Sequence, residues 1–239
     1  MLLKKFMVSK DRSEQLSEFL RYLAECEQSE CERLPSLADL SGKLGISIAS
    51  LREQLEVARA MGLVDVKPKT GIRRLPYTFS PSIQKSLLYA VEVDPTAFQQ
   101  YADLRKHVEE AYWYQAVSLL TPEDHKLLRL LLHNAQEKLK AFPLQVPNAE
   151  HRELHLVIYR RLQNQFVLGI LETYWDLYEA VGLGLANDIG YVRQVWQYHE
   201  KMVEAICSGN YTGGYQTLKE HMDLLNDRRK PSVPKRQFE

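Results

Sequence analysis

The stretch LPSLADLSGKLGISIASLREQLEVARAMGLVDVKPKTGIRRL, residues 34–75, carries two short helical patterns around a Gly-Ile-Ser turn and then a basic hairpin tipped by glycine. Leu37, Leu40 and Leu44 recur at helical spacing, and Gly45 permits a tight turn after them. Ser47 is placed to cap a second helix whose inward positions are Leu51, Leu55 and Ala58. The alternation Val64-Asp65-Val66 predicts a strand, Lys67-Pro68-Lys69-Thr70-Gly71 a turn, and Ile72-Arg73-Arg74-Leu75 the returning strand. Helix, turn, helix and basic hairpin in that order define a winged helix-turn-helix. Arg52 and Arg59 are left on or near the outer face of the second helix. A module of this shape offers that helix to a DNA major groove and its cationic wing to the phosphates.

Three pieces of this stretch resemble the DNA-binding domain of the GntR family of bacterial transcription regulators. They are Leu34-Pro35-Ser36, the run Leu51-Arg52-Glu53-Gln54-Leu55, and Gly62-Leu63 followed by a wing containing Gly71. Two positions depart from the usual pattern: Ile48 and Ala38 stand where the family often has basic residues. The resemblance implies DNA contacts from Ser36, Ser47, Ser50, Arg52, Lys67, Lys69, Gly71 and Arg73. For Arg52 the alternative is an ion pair on the helix surface with Glu53 or Glu56.

The 239 residues suit two domains, and 45% hydrophobic content is enough for a core in each. With 31 basic against 31 acidic residues the chain has no global positive field, so any nucleic-acid contact must use a local patch. Lys67, Lys69, Arg73 and Arg74 form such a patch, and Lys4, Lys5 and Lys10 could add a basic arm. Cys26, Cys31 and Cys207 make neither a paired framework nor a CxxC motif. With no stretch resembling a signal peptide or a membrane span, the expectation is a cytoplasmic, reduced protein without a membrane partner. No phosphate-cradle or nucleophile-elbow motif occurs, which argues against an enzyme.

Before the quoted stretch, residues 8–26 read as a first helix with Leu16, Phe19, Leu20 and Leu23 inward, followed by an acidic exit. After it, Pro76–Pro81 interrupts the periodicity, and Ile83, Leu87, Leu88 and Val91 then suggest a bridging helix. From Pro95 to about Leu225 all recognisable spacing is helical. Turn signals fall at Thr121-Pro122-Glu123-Asp124, Phe142-Pro143, 182–187 and Ser208-Gly209-Asn210. The expected architecture is mainly α. A winged helix-turn-helix (1–78) and linker helix (79–94) precede an all-helical bundle (95–230) and a tail (231–239).

The second half resembles the FCD ligand-binding domain of the FadR-type GntR branch. The resemblance rests on Arg105-x-x-x-Glu109, Thr121-Pro122-Glu123-Asp124, the segment His155–Asn164, Tyr198-His199-Glu200, Cys207-Ser208-Gly209-Asn210 and His221. Many FCD domains hold a divalent metal through one aspartate and three histidines, often beside a small carboxylate. By that resemblance the histidines are His155, His199 and His221, and the aspartate position is occupied by His151. Spacing of four places His151 and His155 on one helix face, so a four-histidine site is allowed, and an all-imidazole set favours zinc or nickel. The alternative for His151 is a surface pair with Glu150 or Glu153, while His107, His125 and His133 read as surface or packing residues.

Arg105 is the candidate for holding an effector carboxylate, its alternative being an ion pair with Glu109. The aromatics Tyr112, Trp113, Tyr114, Tyr159, Phe166, Tyr174, Trp175, Tyr178, Tyr191, Trp196 and Tyr198 suit either a small-molecule cavity or core and dimer packing. The resemblance therefore implies a ligand-responsive, homodimeric transcription regulator, expected to repress, which binds double-stranded operator DNA and senses a small carboxylate through a metal-containing domain. The competing readings are a metal-dependent hydrolase and a non-sensing architectural DNA binder.

Overall fold

The computed structural model describes residues 15–26, 33–68, 71–180 and 189–227. Expectations for the lysine arm, the acidic exit, Lys69, the turn at 182–187 and the tail lie outside the described residues. The chain divides into two units, Met1–Ser86 and Leu87–Glu239.

The first unit holds α1 (Glu18–Cys26), α2 (Leu37–Leu44), α3 (Ile48–Ala60), β1 (Val64–Lys67) and β2 (Gly71–Arg74). Phe19, Tyr22, Leu23, Leu40, Leu51, Leu55, Ala58, Val64 and Ile72 are buried together. Leu16, expected inward, is instead exposed, because it precedes the first turn of α1 and so lies off its apolar stripe. Ser36 caps α2 by accepting from Asp39 N, and Ser47 caps α3 by accepting from Ser50 N. Gly45 ends α2 at φ 69, a left-handed conformation that glycine adopts without a Cβ clash. Gly62 also has positive φ, and a Cβ there would meet Pro81 at 2.7 Å. The wing strands pair antiparallel with Val64 opposite Arg74 and Lys67 opposite Gly71. A further bridge joins Arg33 to Arg73, and Leu34 N donates to Ile72 O, so the chain before α2 is stitched to the wing.

Helix α4 (Ser80–Val93) is the expected bridging helix, and the boundary between the units falls within it. Of its apolar positions Leu87 is buried, whereas Leu88 is exposed. The second unit continues with α5 (Ala97–Ser118), α6 (Pro122–Lys140), α7 (Asn148–Tyr159), α8 (Gln165–Ala180), α9 (Ile189–Ser208) and α10 (Tyr211–Asp227). Helix α9 packs along α10 and α6, while α5 packs against α7, α8 and α10. Trp113, Leu128, Leu154, Ile158, Leu171, Met202, Ile206 and Leu218 fill the space between them. Asn164 starts α8, its Oδ1 accepting from Phe166 N and Val167 N.

The Thr121-Pro122-Glu123-Asp124 sequence forms a capping box: Asp124 N donates to Thr121 Oγ1, and Thr121 N donates to Asp124 Oδ2 at 2.9 Å. Asp124 is fully buried and also accepts from Arg160 and from Arg161 Nε, the latter at 2.9 Å, which ties the start of α6 to the end of α7. Burial alone would push its carboxyl up, but Arg161, the Thr121 backbone and Arg160 outweigh burial and hold it well below the usual range. A carboxylate depressed in this way stabilises the fold fully above its unfolded value, near about 3.9, and that contribution is lost as pH falls below it. Asp124→Asn is therefore expected to cost about 3 kcal/mol at neutral pH. Urea midpoints measured from pH 7 downward should show wild type losing its advantage over the variant in acid. An equal gap at pH 7 and pH 2 would remove Asp124 from this role.

Candidate functional site

Within the second unit, His151 and His155 project from the same face of α7, one turn apart, with ring centroids 5.3 Å from each other. His199 comes from α9 and His221 from α10. All four are buried, and one ring nitrogen from each lies within 4.8 Å of the others. His155 Nε2 faces His199 Nε2 at 3.2 Å. Two ligand nitrogens on a tetrahedral zinc, each about 2.0–2.1 Å from the ion, would sit roughly 3.3 Å apart. His151 Nε2, His199 Nδ1 and both ring nitrogens of His221 have no hydrogen-bond partner among the described residues. Four neutral nitrogens brought together in the core, most with nothing to bind, are the donor set expected of a divalent transition ion.

The electrostatics keep these rings neutral. Burial pushes all four well below the ordinary histidine value, and Arg105 lowers each further. The other histidines add to the effect for His151, His199 and His221. Neutral imidazole is the ligating form.

Helix α5 supplies the support behind His155. Arg105 Nε donates to Glu109 Oε1 at 2.6 Å, and Glu109 Oε2 lies 3.0 Å from His155 Nδ1. Arg105 Nη2 is also 3.1 Å from that nitrogen. We assign the proton to His155 Nδ1, because this satisfies Glu109 and leaves Nε2 with its lone pair toward the cluster. The Arg105 guanidinium stacks over Tyr174 at 4.2 Å and Trp175 at 4.8 Å. Arg105 thus makes the ion pair with Glu109 that was the alternative to its effector role. Trp175 and Trp196 pack edge-on against His151 and His199 respectively, with ring centroids 4.5 and 4.8 Å apart.

His151 does not take its surface alternative, since Glu150 pairs with Lys138 at 2.7 Å. His107 is exposed against Asp103, and neither His125 nor His133 joins the cluster. Glu109 as the group orienting His155 was missed at the sequence level. Its spacing of four from Arg105 was the available signal, but it pointed only to a pair within one helix.

In the first unit, Arg52 is exposed on α3 with no ion pair among the described residues. Glu56, one of its expected alternatives, pairs instead with Arg59 at 3.6 Å. Ser36 and Ser47 are exposed caps, and Ser50 Oγ accepts from Gln54 Nε2 at 3.4 Å. Lys67, Gly71 and Arg73 are exposed on the wing, with Lys67 held by Asp65 at 3.1 Å.

The FCD domain model matches residues 100–224, just over half of the chain and all four histidines. The chain therefore belongs to the FCD domain family. Among solved structures, the Streptococcus agalactiae GntR protein superposes with a TM-score of 0.63 at 15% identity, covering 90% of this chain and 99% of that one. E. coli McbR/YncC matches with a TM-score of 0.44 at 20% identity, covering 89% and 99%. No curated protein matches the chain. No helix among the described residues is long and apolar enough to cross a membrane.

Proposed function

We propose that this regulator binds operator DNA through α3 and the wing, as a homodimer, and that its FCD domain responds to a small carboxylate at a metal centre held by His151, His155, His199 and His221. The observation that carries the reading is the convergence of four buried, neutral imidazoles from three helices inside an FCD domain. A divalent zinc or nickel ion bound there would supply a Lewis-acidic position for an anionic ligand. The chain's own groups keep the ligands neutral, set the His155 tautomer through Glu109, and shield the cluster with indole rings. Binding of metal and carboxylate changes DNA affinity by the difference in their affinity for DNA-competent and incompetent arrangements of the protein. In its DNA-bound form the protein acts as a repressor in the cytoplasm.

Assembly provides a direct check. Two winged domains reading a palindromic site require a twofold dimer. Sedimentation velocity at micromolar concentration should show a dimer. A monomer that still binds selected duplex DNA at full affinity, without cooperativity, would contradict the proposal.

A further inference from the structure

Ile48, the first residue of α3, is 41% exposed, whereas Ile46, two residues earlier, is half-buried against the core of the first unit. A single exposed aliphatic side chain is ordinary on a protein surface, so its surroundings decide what it can do. Ala49 beside it is exposed as well, and the oxygens of the flanking serines are engaged within the helix. Ser47 Oγ accepts from Ser50 N at 3.1 Å, and Ser50 Oγ accepts from Gln54 Nε2 at 3.4 Å. Arg52 follows one turn after Ile48 on the same side of α3 and pairs with no carboxylate among the described residues. This side of the helix thus offers aliphatic groups first and a guanidinium next.

In a major groove those two chemistries suit different base edges. A guanidinium matches the two acceptors of guanine, O6 and N7, and of the four bases only thymine turns an apolar group, its C5-methyl, into the groove. Against a donor or acceptor edge, the Ile48 side chain would displace water and return no hydrogen bond. Four residues of helix span about 6 Å and a base step about 3.4 Å, so the two contacts fall within about two base pairs of each other. Resting on the DNA-binding reading above, we propose that Ile48 is a specificity-determining residue. Its side chain packs on the C5-methyl of a thymine within about two base pairs of the guanine held by Arg52. Val57, the other exposed branched aliphatic of α3, lies more than two turns further along and takes no part in that contact.

The test uses the full chain, a duplex it selects from a random library, and copies of that duplex in which each thymine in turn is replaced by deoxyuridine. The replacement keeps the base pair and removes only the methyl. In anisotropy titrations of the wild type, deoxyuridine at the thymine read by Ile48 should weaken binding about four-fold, the effect of losing one buried methyl group. Ile48→Ala should bind the two forms of that duplex equally, while Val57→Ala should discriminate as the wild type does. If Ile48→Ala does not fold, the wild-type comparison still decides. Equal wild-type affinity for thymine and deoxyuridine at every position would overturn the role of Ile48 and leave DNA binding through α3 standing. Discrimination that persists undiminished in Ile48→Ala would do the same. A chain that enriches no sequence from the library would overturn the DNA-binding reading and this inference with it.

Discussion

Replacing His199 with alanine is expected to abolish stoichiometric metal binding, and His155→Ala and His221→Ala should do the same. Each ring contributes one nitrogen to a cluster whose ligand atoms lie within 4.8 Å of one another, and because all four rings are buried no surface group can take the place of one that is lost. His151→Ala should weaken binding as well, since its unpartnered Nε2 belongs to the same donor set. Glu109→Gln, which disturbs only the group behind His155, should cost roughly 10–100-fold in metal affinity, and loss of a ligand should cost more. Metal at about 1,000 times its dissociation constant adds about 4 kcal/mol to folding stability. Chelation of the wild type should therefore lower its melting temperature by on the order of 10 °C. The variants should melt at the same temperature with or without chelator, a signature that a mere folding defect would not give. Stoichiometric metal in all three of His155→Ala, His199→Ala and His221→Ala would place the site elsewhere. Retention by His151→Ala alone would give the fourth position to water or a carboxylate.

The second large effect belongs to Arg52. Its side chain is exposed on α3 and pairs with no carboxylate among the described residues, so its guanidinium is available to DNA without breaking an internal contact. Arg52→Ala should leave chain stability within about 0.5 kcal/mol of wild type, as an ordinary surface substitution does. Affinity for duplex DNA selected from a random library should fall by about 1–3 kcal/mol if Arg52 reads a base edge. Arg59→Ala should do less, because Arg59 already has Glu56. Lys67→Ala should weaken binding evenly across sequences and reduce the salt slope by about one. Lys67 must leave Asp65 to reach a phosphate, so its effect should be the smaller one. Unchanged affinity for Arg52→Ala in an anisotropy titration would remove Arg52 from the interface.

Much of this was legible in the sequence because the signals are local. Ser36, Gly45 and Ser47 occupy turn and cap positions where backbone geometry dictates the residue type, and they fall there in the structure. The Thr121–Asp124 box is equally local, although its clasp on Arg160 and Arg161 is not, since nothing in residue spacing links positions 36 or 37 apart. Leu16 was misplaced because periodicity carries past the end of a helix, whereas burial does not. Tyr22 shows the converse, a core position that the leucine stripe hid. The pairing of His151 and His155 followed from spacing, but their meeting with His199 and His221 depends on how α7, α9 and α10 pack. Only the family resemblance anticipated it. Arg105 was the hardest to read: a buried guanidinium demands an anion, and the sequence alone could not say whether Glu109 or a bound molecule would supply it.

The measurement that bears most directly on the whole account is the affinity of the full-length protein for selected duplex DNA under three conditions: chelated, loaded with zinc, and loaded with zinc in saturating acetate. If the FCD domain is a sensor coupled to the winged module, affinity should differ between conditions by roughly 5–150-fold, the usual span of such couplings. His199→Ala should erase the difference. Identical DNA affinity in all three, with one zinc per chain confirmed in the loaded samples, would contradict the account: the histidine cluster would then be a structural metal site with no part in regulation.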